Sequence, residues 1–286
     1  MAGDAGVVGQ WGPIAVYAFG LAAALGFALG TATSLVQAAR LGVDAGDLFR
    51  FAPLGMAAGV IGARIGYVIV NAPGFLADPG AVVRLSEGGF AYYGGLAGGA
   101  LALLLYAHRR GLDFWRLLDA AAPGLALGQA VGLAGAGTVG RSASVLWAVD
   151  GNGGPVHPVG AYGIAVTYFI FAVLWHLGRR APSRGRLFLV YLLLHGIGFA
   201  LVGTWTAGPR MAGLAPVQWA GLAAAGLALA SLILLPPAGR GPVPHRWRRL
   251  PAAVQAAPDS GRWLRVAVWA SGLLLLLALY RARTGP

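Results

Sequence analysis

The sequence predicts an all-α, polytopic transmembrane helix bundle. Apolar runs recur along the whole chain, and each has roughly the 20 residues that a helix needs to cross a bilayer. Only 10% of the 286 residues are charged and the mean hydropathy is +0.71, whereas about a quarter of the residues of a soluble domain are charged. A membrane protein with several helical spans explains both observations.

Seven segments are predicted to span the membrane. Taken in order, they run over about Pro13–Val36, Phe51–Val70, Phe90–Ala107, Leu118–Val139, Pro158–Leu177, Leu187–Trp205 and Val217–Leu235. Pro13 suits a helix start, because the N–H that proline lacks would have no partner there. An eighth apolar run, about Trp263–Tyr280, is expected either to span the membrane or to lie in its interface.

These segments predict three parts of the chain. Residues 1–235 form a seven-span membrane domain, and residues 236–262 form a Pro- and Arg-rich cytoplasmic linker. Residues 263–286 form an additional C-terminal hydrophobic segment.

The basic residues determine the predicted orientation. All 21 are arginine, and 15 of them lie in or beside the first, third, fifth and seventh loops. Cytoplasmic loops carry an excess of positive charge, so we expect these loops in the cytoplasm and the N-terminus outside. Contacts between arginines and anionic headgroups explain the net charge of +12, and no nucleic-acid partner is expected. Without cysteine, and without two histidines at metal-ligand spacing, no metal or cofactor is expected.

Arg64 is a charge inside the second predicted span. Ionisable residues in spans are costly and face the bundle interior, a watery cavity or a partner. One interpretation is a ligand for the phosphate of a lipid headgroup, because guanidinium matches phosphate geometry. The other is a structural arginine that snorkels or pairs with Glu87 or an aspartate.

The stretch Glu87–Gly99, EGGFAYYGGLAGG, is a glycine-dense entry into the third span. Glycines at this density let a backbone or a lipid headgroup approach closely. Tyr93 either belongs to an aromatic belt at the interface or aims its hydroxyl into a cavity beside Gly94 and Gly95.

Three further polar residues lie in or near spans. Asp119 fits a helix cap or a partner for Arg110 or Arg116, and Gln129 is a polar group inside the fourth span. A lone histidine such as His195, in LLLHGIGF, more often makes an interhelical hydrogen bond than acts as a base.

Six stretches then point to one family. They are GARIGYVIVN, EGGFAYYGGLAGGALAL, RRGLDFWRLLDAAAPGLALGQAVG, GRSASVLWAV, HPVGAY and LAPVQ, and they lie in order between about Ala63 and Gln218. With these motifs the chain resembles bacterial prolipoprotein diacylglyceryl transferases. That family spans the membrane seven times with the N-terminus outside, and moves a diacylglyceryl group from phosphatidylglycerol to the cysteine of a lipoprotein signal peptide.

The resemblance implies a location and a set of ligands. It implies the bacterial cytoplasmic membrane, with phosphatidylglycerol or another anionic phospholipid and a lipoprotein signal peptide as partners, and no cofactor. The expected lipid- or phosphate-binding residues are Arg64, Tyr93, Gly94, Gly95, Gln129 and Arg141.

The chain departs from the family at the positions that would carry chemistry. Tyr93 stands where the family has histidine, and no catalytic residue is assigned. Other positions where the family has arginine, asparagine, glutamate, arginine and glutamate hold Leu133, Ala136, Gly163, Phe199 and Gly203, respectively. Two hypotheses follow: a divergent diacylglyceryl transferase, or a non-catalytic protein on the same fold that binds a phospholipid or a partner. A transporter or channel is disfavoured, because the spans hold almost no acidic residues.

Overall fold

A computed structural model describes residues 7–11, 14–84, 88–136, 140–151, 153–180, 184–208 and 210–234. The chain forms eight helices over these ranges. They are α1 (Ala18–Leu41), α2 (Ala45–Val70), α3 (Ala72–Ala77), α4 (Tyr92–Arg110), α5 (Phe114–Ala134), α6 (Val159–Leu177), α7 (Arg186–Val202) and α8 (Pro216–Leu234). Two antiparallel hairpins accompany them: β1 (Val7–Trp11) with β2 (Ile14–Tyr17), and β3 (Val149–Gly151) with β4 (Gly154–Val156).

The prediction of a helical protein with several membrane-spanning helices is confirmed. Five of the described helices, α1, α2, α5, α6 and α8, are long and apolar enough to cross a membrane. α7 is apolar but has only 17 residues. α3 is a single short helix that the apolar runs did not indicate. The count of seven spans stays a prediction, and the linker and the eighth run lie outside the described residues.

Some predicted boundaries were wrong. The first helix begins at Ala18 and not at Pro13, because Ile14–Tyr17 pairs with β1. α2 begins at Ala45, six residues before the predicted span, because Asp44 caps it. α5 ends at Ala134, before the predicted Val139. Hydropathy cannot locate such ends, because strand pairing and caps determine them.

The two ends of the bundle differ in their connections. At one end, which we call the tight end, residues 42–44, 111–113 and 178–185 join successive helices. The ion pairs Asp47–Arg110 and Asp113–Arg184, both 3.0 Å, lie at this end. At the other, the loop end, residues 71–91, 135–158 and 203–215 make longer connections. The candidate functional residues lie towards the loop end.

Aspartate side chains accept hydrogen bonds from the N-terminal N–H groups of three helices at the tight end. The side chains of Asp44 and Asp113 accept hydrogen bonds from backbone N–H groups in the first turns of α2 and α5. Asp119 lies fully buried in α5, and its carboxylate accepts from the N–H groups of Gly185 (2.7 Å) and Phe188 (3.0 Å). Asp119 therefore accepts from two of the backbone N–H groups that have no helical partner at the start of α7. The sequence had indicated only Arg110, Arg116 or a cap near Asp119 itself.

Glycines spaced four residues apart allow close backbone contact in two pairs of helices. On α1 and α5, a Cβ on Gly30 would lie 2.7 Å from the Gly124 carbonyl oxygen. On α2 and α4, a Cβ on Gly62 would lie 2.5 Å from the Gly94 oxygen. Any side chain at these positions would force the helices apart, since small residues are what allows such contact in membranes. The close approach predicted for Glu87–Gly99 is thus, at Gly94, an approach between helices.

Candidate functional site

Arg64 is buried in α2, with only 6% of its surface exposed. Its five N–H groups donate to five backbone carbonyls of the loop between α2 and α4, at donor–acceptor distances of 2.5–3.2 Å. The acceptors are Ala81, Val82, Arg84, Gly88 and Gly89. Every donor of the guanidinium is therefore already used by the loop. Glu87, the partner expected in the structural interpretation, lies outside the described residues.

A cleft of about 280 Å³ lies beside Arg64, lined in part by Tyr67, Asn71 and Phe75. The guanidinium carbon is 5.3 Å from the centre of the Phe75 ring and 5.9 Å from that of Tyr67. These distances are within the range of cation–π attraction. A phosphate entering this cleft would have to replace carbonyl partners of Arg64, so the phosphate role expected for Arg64 stays a prediction.

Three helices bring Tyr93, His195 and Gln129 into one partly buried chain of hydrogen bonds, with His195 at its centre. The Tyr93 hydroxyl of α4 is 3.1 Å from Nδ1 of His195 on α7. The Nε2 of His195 is 2.9 Å from Oε1 of Gln129 on α5. An amide oxygen can only accept, so Nε2 carries a proton and donates to it. In the neutral imidazole, Nδ1 then accepts from the Tyr93 hydroxyl.

Aromatic rings enclose His195 on both faces. Its ring stacks on Tyr92 at 4.5 Å and on Phe199 at 4.4 Å, with interplanar angles of 17° and 13°. The imidazole is 1% exposed. Tyr92 in turn bonds through its hydroxyl to that of Tyr191. The interhelical hydrogen bond expected for His195 is present, and it is the residue through which α4, α5 and α7 meet.

An apolar centre lies beside His195, made of Leu133, Gly163 and Phe199. A Cβ on Gly163 would lie 3.1 Å from Cδ1 of Leu133 and 3.8 Å from Cζ of Phe199. The resemblance puts arginine, glutamate and arginine at these three positions. The helices thus bring all three replaced positions together, and an uncharged cluster occupies the place where opposite charges would face one another.

A second polar region, the Arg141 cavity, opens at the loop end. It has a volume of about 500 Å³, and its lining includes Arg141, Ser142, His157, Thr204 and Trp205. The Arg141 side chain is exposed. Among the residues that the structure describes, its guanidinium has no hydrogen-bond or ion-pair partner. Arg141 is therefore an exposed cation in the lining of the cavity, and no described residue accepts from its guanidinium.

Backbone hydrogen bonds hold three separate segments together around this cavity. The N–H of Arg141 donates to the Trp205 carbonyl at 2.9 Å, and the N–H of His157 donates to the Arg141 carbonyl at 2.9 Å. The N–H of Gly140 completes the set by donating to the His157 carbonyl at 2.8 Å. The position of Arg141 is therefore determined by the loops after α5 and α7 and by the residue before Pro158.

The structure separates the predicted lipid ligands into groups. Tyr93 and Gln129 meet through His195, whereas Arg64 serves the loop before α4 and Arg141 lines its own cavity. Gly94 lies against Gly62 and Gly66 of α2, and a Cβ on Gly95 would lie 3.1 Å from the Gly59 oxygen. Among the described residues, no three His, Asp or Glu side chains come together as a metal site requires.

Sequence reasoning missed two features of these sites. Phe199 was read only as a replaced arginine, although its ring covers His195. His157 entered only as the first residue of the motif HPVGAY, although it lines the cavity with Arg141. Its Nδ1 is also 3.1 Å from the Tyr162 hydroxyl. The motif HPVGAY carries that signal, because the tyrosine follows the histidine by five positions across a helix start.

Comparison with known proteins supports the resemblance. The family model for prolipoprotein diacylglyceryl transferase matches residues 6–235. A phosphatidylglycerol–prolipoprotein diacylglyceryl transferase from Bordetella parapertussis is 32% identical over 246 residues, which is 79% of this chain and 88% of that protein. Proteins of the same name from Clostridioides difficile and Bacillus cereus are 29% and 28% identical, over 63% and 79% of this chain and 74% and 89% of their own lengths. The chain belongs to the prolipoprotein diacylglyceryl transferase family.

Proposed function

We propose that this chain binds the headgroup of an anionic phospholipid, phosphatidylglycerol, in the Arg141 cavity at the outer face of a bacterial cytoplasmic membrane. The observation that carries the proposal is Arg141, which lines a cavity of about 500 Å³ and whose guanidinium has no partner among the described residues. A guanidinium presents a planar fork of donors that matches a phosphate. The choice of phosphatidylglycerol as the lipid comes from the names of the relatives.

The proposed orientation follows from the arginine distribution. Seven spans, α1, α2 and α4–α8, put the loop end outside and the tight end in the cytoplasm. The cavity then lies at the level of the outer headgroups, where a phosphate can reach Arg141 without crossing hydrocarbon. The tight end, with its caps and ion pairs, would face the cytoplasm.

The proposed function is binding without diacylglyceryl transfer. Transfer replaces a glycerol phosphate with a cysteine sulfur, which needs cations beside the leaving phosphate and a group that takes the thiol proton. Leu133, Gly163 and Phe199 supply neither. Because arginine and glutamate positions are replaced together, no buried charge is left unpaired, and the centre is a stable apolar contact.

Binding can be measured with the full chain in nanodiscs. We expect tighter association with phosphatidylglycerol than with the zwitterionic phosphatidylcholine. Arg141→Ala should weaken phosphatidylglycerol binding by about tenfold or more, the scale of one charge-assisted hydrogen bond. The matched control is Arg109→Ala, which removes one exposed arginine from the tight end. Equal binding by the two variants would contradict the proposal.

The Tyr93–His195 pair favours a second candidate function, a divergent diacylglyceryl transfer to a lipoprotein signal peptide. In that reaction the cysteine sulfur forms a bond to the glyceryl carbon, and the carbon–oxygen bond to glycerol phosphate breaks. The leaving oxygen keeps the electron pair. The thiol proton would pass to the Tyr93 oxygen as the Tyr93 proton moves to Nδ1 of His195. His195 would thereby replace the histidine that the family carries at position 93.

A transfer assay decides between the two candidates. The substrates are phosphatidylglycerol and a synthetic peptide with a lipoprotein cysteine motif. Diacylglyceryl peptide formed by the unmodified chain, and lost in Tyr93→Phe and in His195→Gln, would support transfer. The first proposal predicts no product above a protein-free background. It also predicts that the chain will not rescue a bacterium depleted of its transferase.

A further inference from the structure

His157 shares a cavity with Arg141 but belongs to none of the replaced family positions. It directly follows β4 (Gly154–Val156), and its backbone is hydrogen-bonded to Gly140 and Arg141 on the facing loop. Its ring contacts that of Trp205, with centroids 5.9 Å apart. The imidazole is therefore held from two sides at the cavity wall.

A hydrogen-bond relay sets the direction in which this imidazole donates. The indole Nε1–H of Trp147 donates to the Tyr162 oxygen at 2.8 Å. The Tyr162 oxygen is in turn 3.1 Å from Nδ1 of His157. Because the tyrosine oxygen already accepts from Trp147, its own O–H is available to donate to Nδ1. In the neutral imidazole, the proton then resides on Nε2.

The Nε2 atom of His157 has no partner among the residues that the structure describes. The cavity thus has two donors without partners, the Arg141 guanidinium and the His157 imidazole, and they come from segments joined by direct backbone bonds. Nδ1 has a donor against it, so Nε2 is the nitrogen left for a ligand. The ligand that suits both donors is a hydrogen-bond acceptor that carries negative charge.

We propose that His157 is a second phosphate-binding residue of the Arg141 cavity, and that Trp147 and Tyr162 position it by fixing its Nε2–H tautomer. The ligand class is a phosphate ester, either the phosphodiester of a phospholipid headgroup or a free glycerol phosphate. This inference rests on the proposed function of the Arg141 cavity. It adds a second hydrogen-bond donor to the cavity, and it assigns Trp147 and Tyr162 a role in positioning that donor.

The test separates the two nitrogens of His157 with a matched pair of substitutions. In His157→Asn the side-chain amide reaches as far as Nδ1 does, so the Tyr162 contact is kept and the donor to the cavity is lost. In His157→Gln the amide reaches as far as Nε2 does, so the donor is kept. Binding is measured on the full chain, with phosphatidylglycerol nanodiscs in one arm and soluble glycerol phosphate in the other.

We expect His157→Asn to weaken binding about fivefold, the scale of one hydrogen bond between a protein and a ligand, and His157→Gln to bind nearly as the unmodified chain does. Weakening in both arms identifies the phosphate ester itself as the ligand. Weakening in the nanodisc arm alone identifies the lipid headgroup.

The relay has its own spectroscopic readout. The ¹⁵N shifts of labelled histidine distinguish the two neutral tautomers at about pH 8.5, well above the ordinary histidine pKa. The His157 signal is assigned by its absence in His157→Gln. We expect the Nε2–H form in the unmodified chain, and a mixture of tautomers with weaker phosphate binding in Tyr162→Phe. A tautomer unchanged by Tyr162→Phe would overturn the positioning role.

Failure of this inference can be told from failure of the proposed function. If Arg141→Ala loses binding while His157→Asn binds as the unmodified chain does, His157 is not a ligand and the Arg141 site stands. If neither substitution changes binding, both proposals are wrong. Thermal unfolding of each variant checks its folding. Tyr162→Phe, which leaves the imidazole in place, keeps the test decisive if His157→Asn does not fold.

Discussion

Arg64 and Arg141 lie towards the same end of the bundle and use their charges in opposite ways. Arg64 is 6% exposed and donates to five backbone carbonyls. Arg141 is exposed, and no described residue accepts from its guanidinium. Burial of a charge in a span is the usual pointer to function. Here the less buried arginine is the better candidate for a ligand site, because its donors are free.

This difference has a simple physical basis. A buried cation needs compensation, and five carbonyl oxygens provide it for Arg64 while they order the loop after α2. An exposed cation is solvated by water, which a phosphate can displace. Arg64 should therefore contribute to stability and Arg141 to binding. The following substitutions test that division.

Arg64→Ala should have the largest effect. It removes five donors from the loop carbonyls, and we expect a loss of about 3 kcal/mol or more in the free energy of unfolding, since each buried group left unpaired carries a penalty. Thermal or denaturant unfolding in detergent measures it. Arg64→Lys keeps the charge but has three donors, so an intermediate loss is expected. An Arg64→Ala protein as stable as the unmodified chain would remove the contrast with Arg141.

Two adjacent glycines test the packing of α2 on α4. This packing positions the loop between the two helices, which accepts the hydrogen bonds of Arg64 and is called the Arg64 loop below. A Cβ on Gly98 would lie 2.5 Å from the Ala58 oxygen, whereas one on Gly99 has only the Gly55 oxygen, at 3.9 Å. We expect Gly98→Ala to cost about 1–3 kcal/mol, as overpacking does. Gly99→Ala should be neutral or stabilising, because alanine favours helix. Equal stabilities of the two variants would show that the helices are not in close contact.

The Asp78–Arg84 ion pair should have the smallest effect. It lies on the surface of the Arg64 loop, and the hydrogen bond from Arg84 holds the pKa of Asp78 below its ordinary value. The contribution of the pair is present at neutral pH and is lost as pH falls through this lowered pKa. Exposed pairs contribute little, so Asp78→Asn should change stability far less than Arg64→Ala at pH 7. A comparable change would mean that surface charge orders the loop.

The long helices could be predicted from the sequence, but several of their ends and their contacts could not. Apolar runs located α6 and α8 to within one residue, because hydrophobic length is a local property. The start of α1 was missed because it depends on pairing between β1 and β2. The partners of Arg64 could not be predicted, since backbone carbonyls become acceptors only once the loop has its path.

The candidate site was predictable to a similar degree. The resemblance implies that Leu133, Gly163 and Phe199 stand where the family has charged residues, but only the packing of α5, α6 and α7 shows that these three residues meet. Arg141 was expected as a phosphate ligand. Its free guanidinium and the contribution of His157 depend on three chain segments bonded together, which no local pattern records.

We expect Arg141 to contribute to lipid binding and not to stability, and thermal unfolding with and without lipid separates the two contributions. The apparent unfolding temperature of the full chain is compared for the unmodified protein and Arg141→Ala, each with and without phosphatidylglycerol, because a ligand that binds the folded state raises this temperature. We predict equal temperatures without lipid and, on adding phosphatidylglycerol, a clearly larger rise in the unmodified protein than in Arg141→Ala, because the variant binds the lipid about tenfold more weakly. The same rise in both proteins would show that Arg141 does not contribute to binding of phosphatidylglycerol.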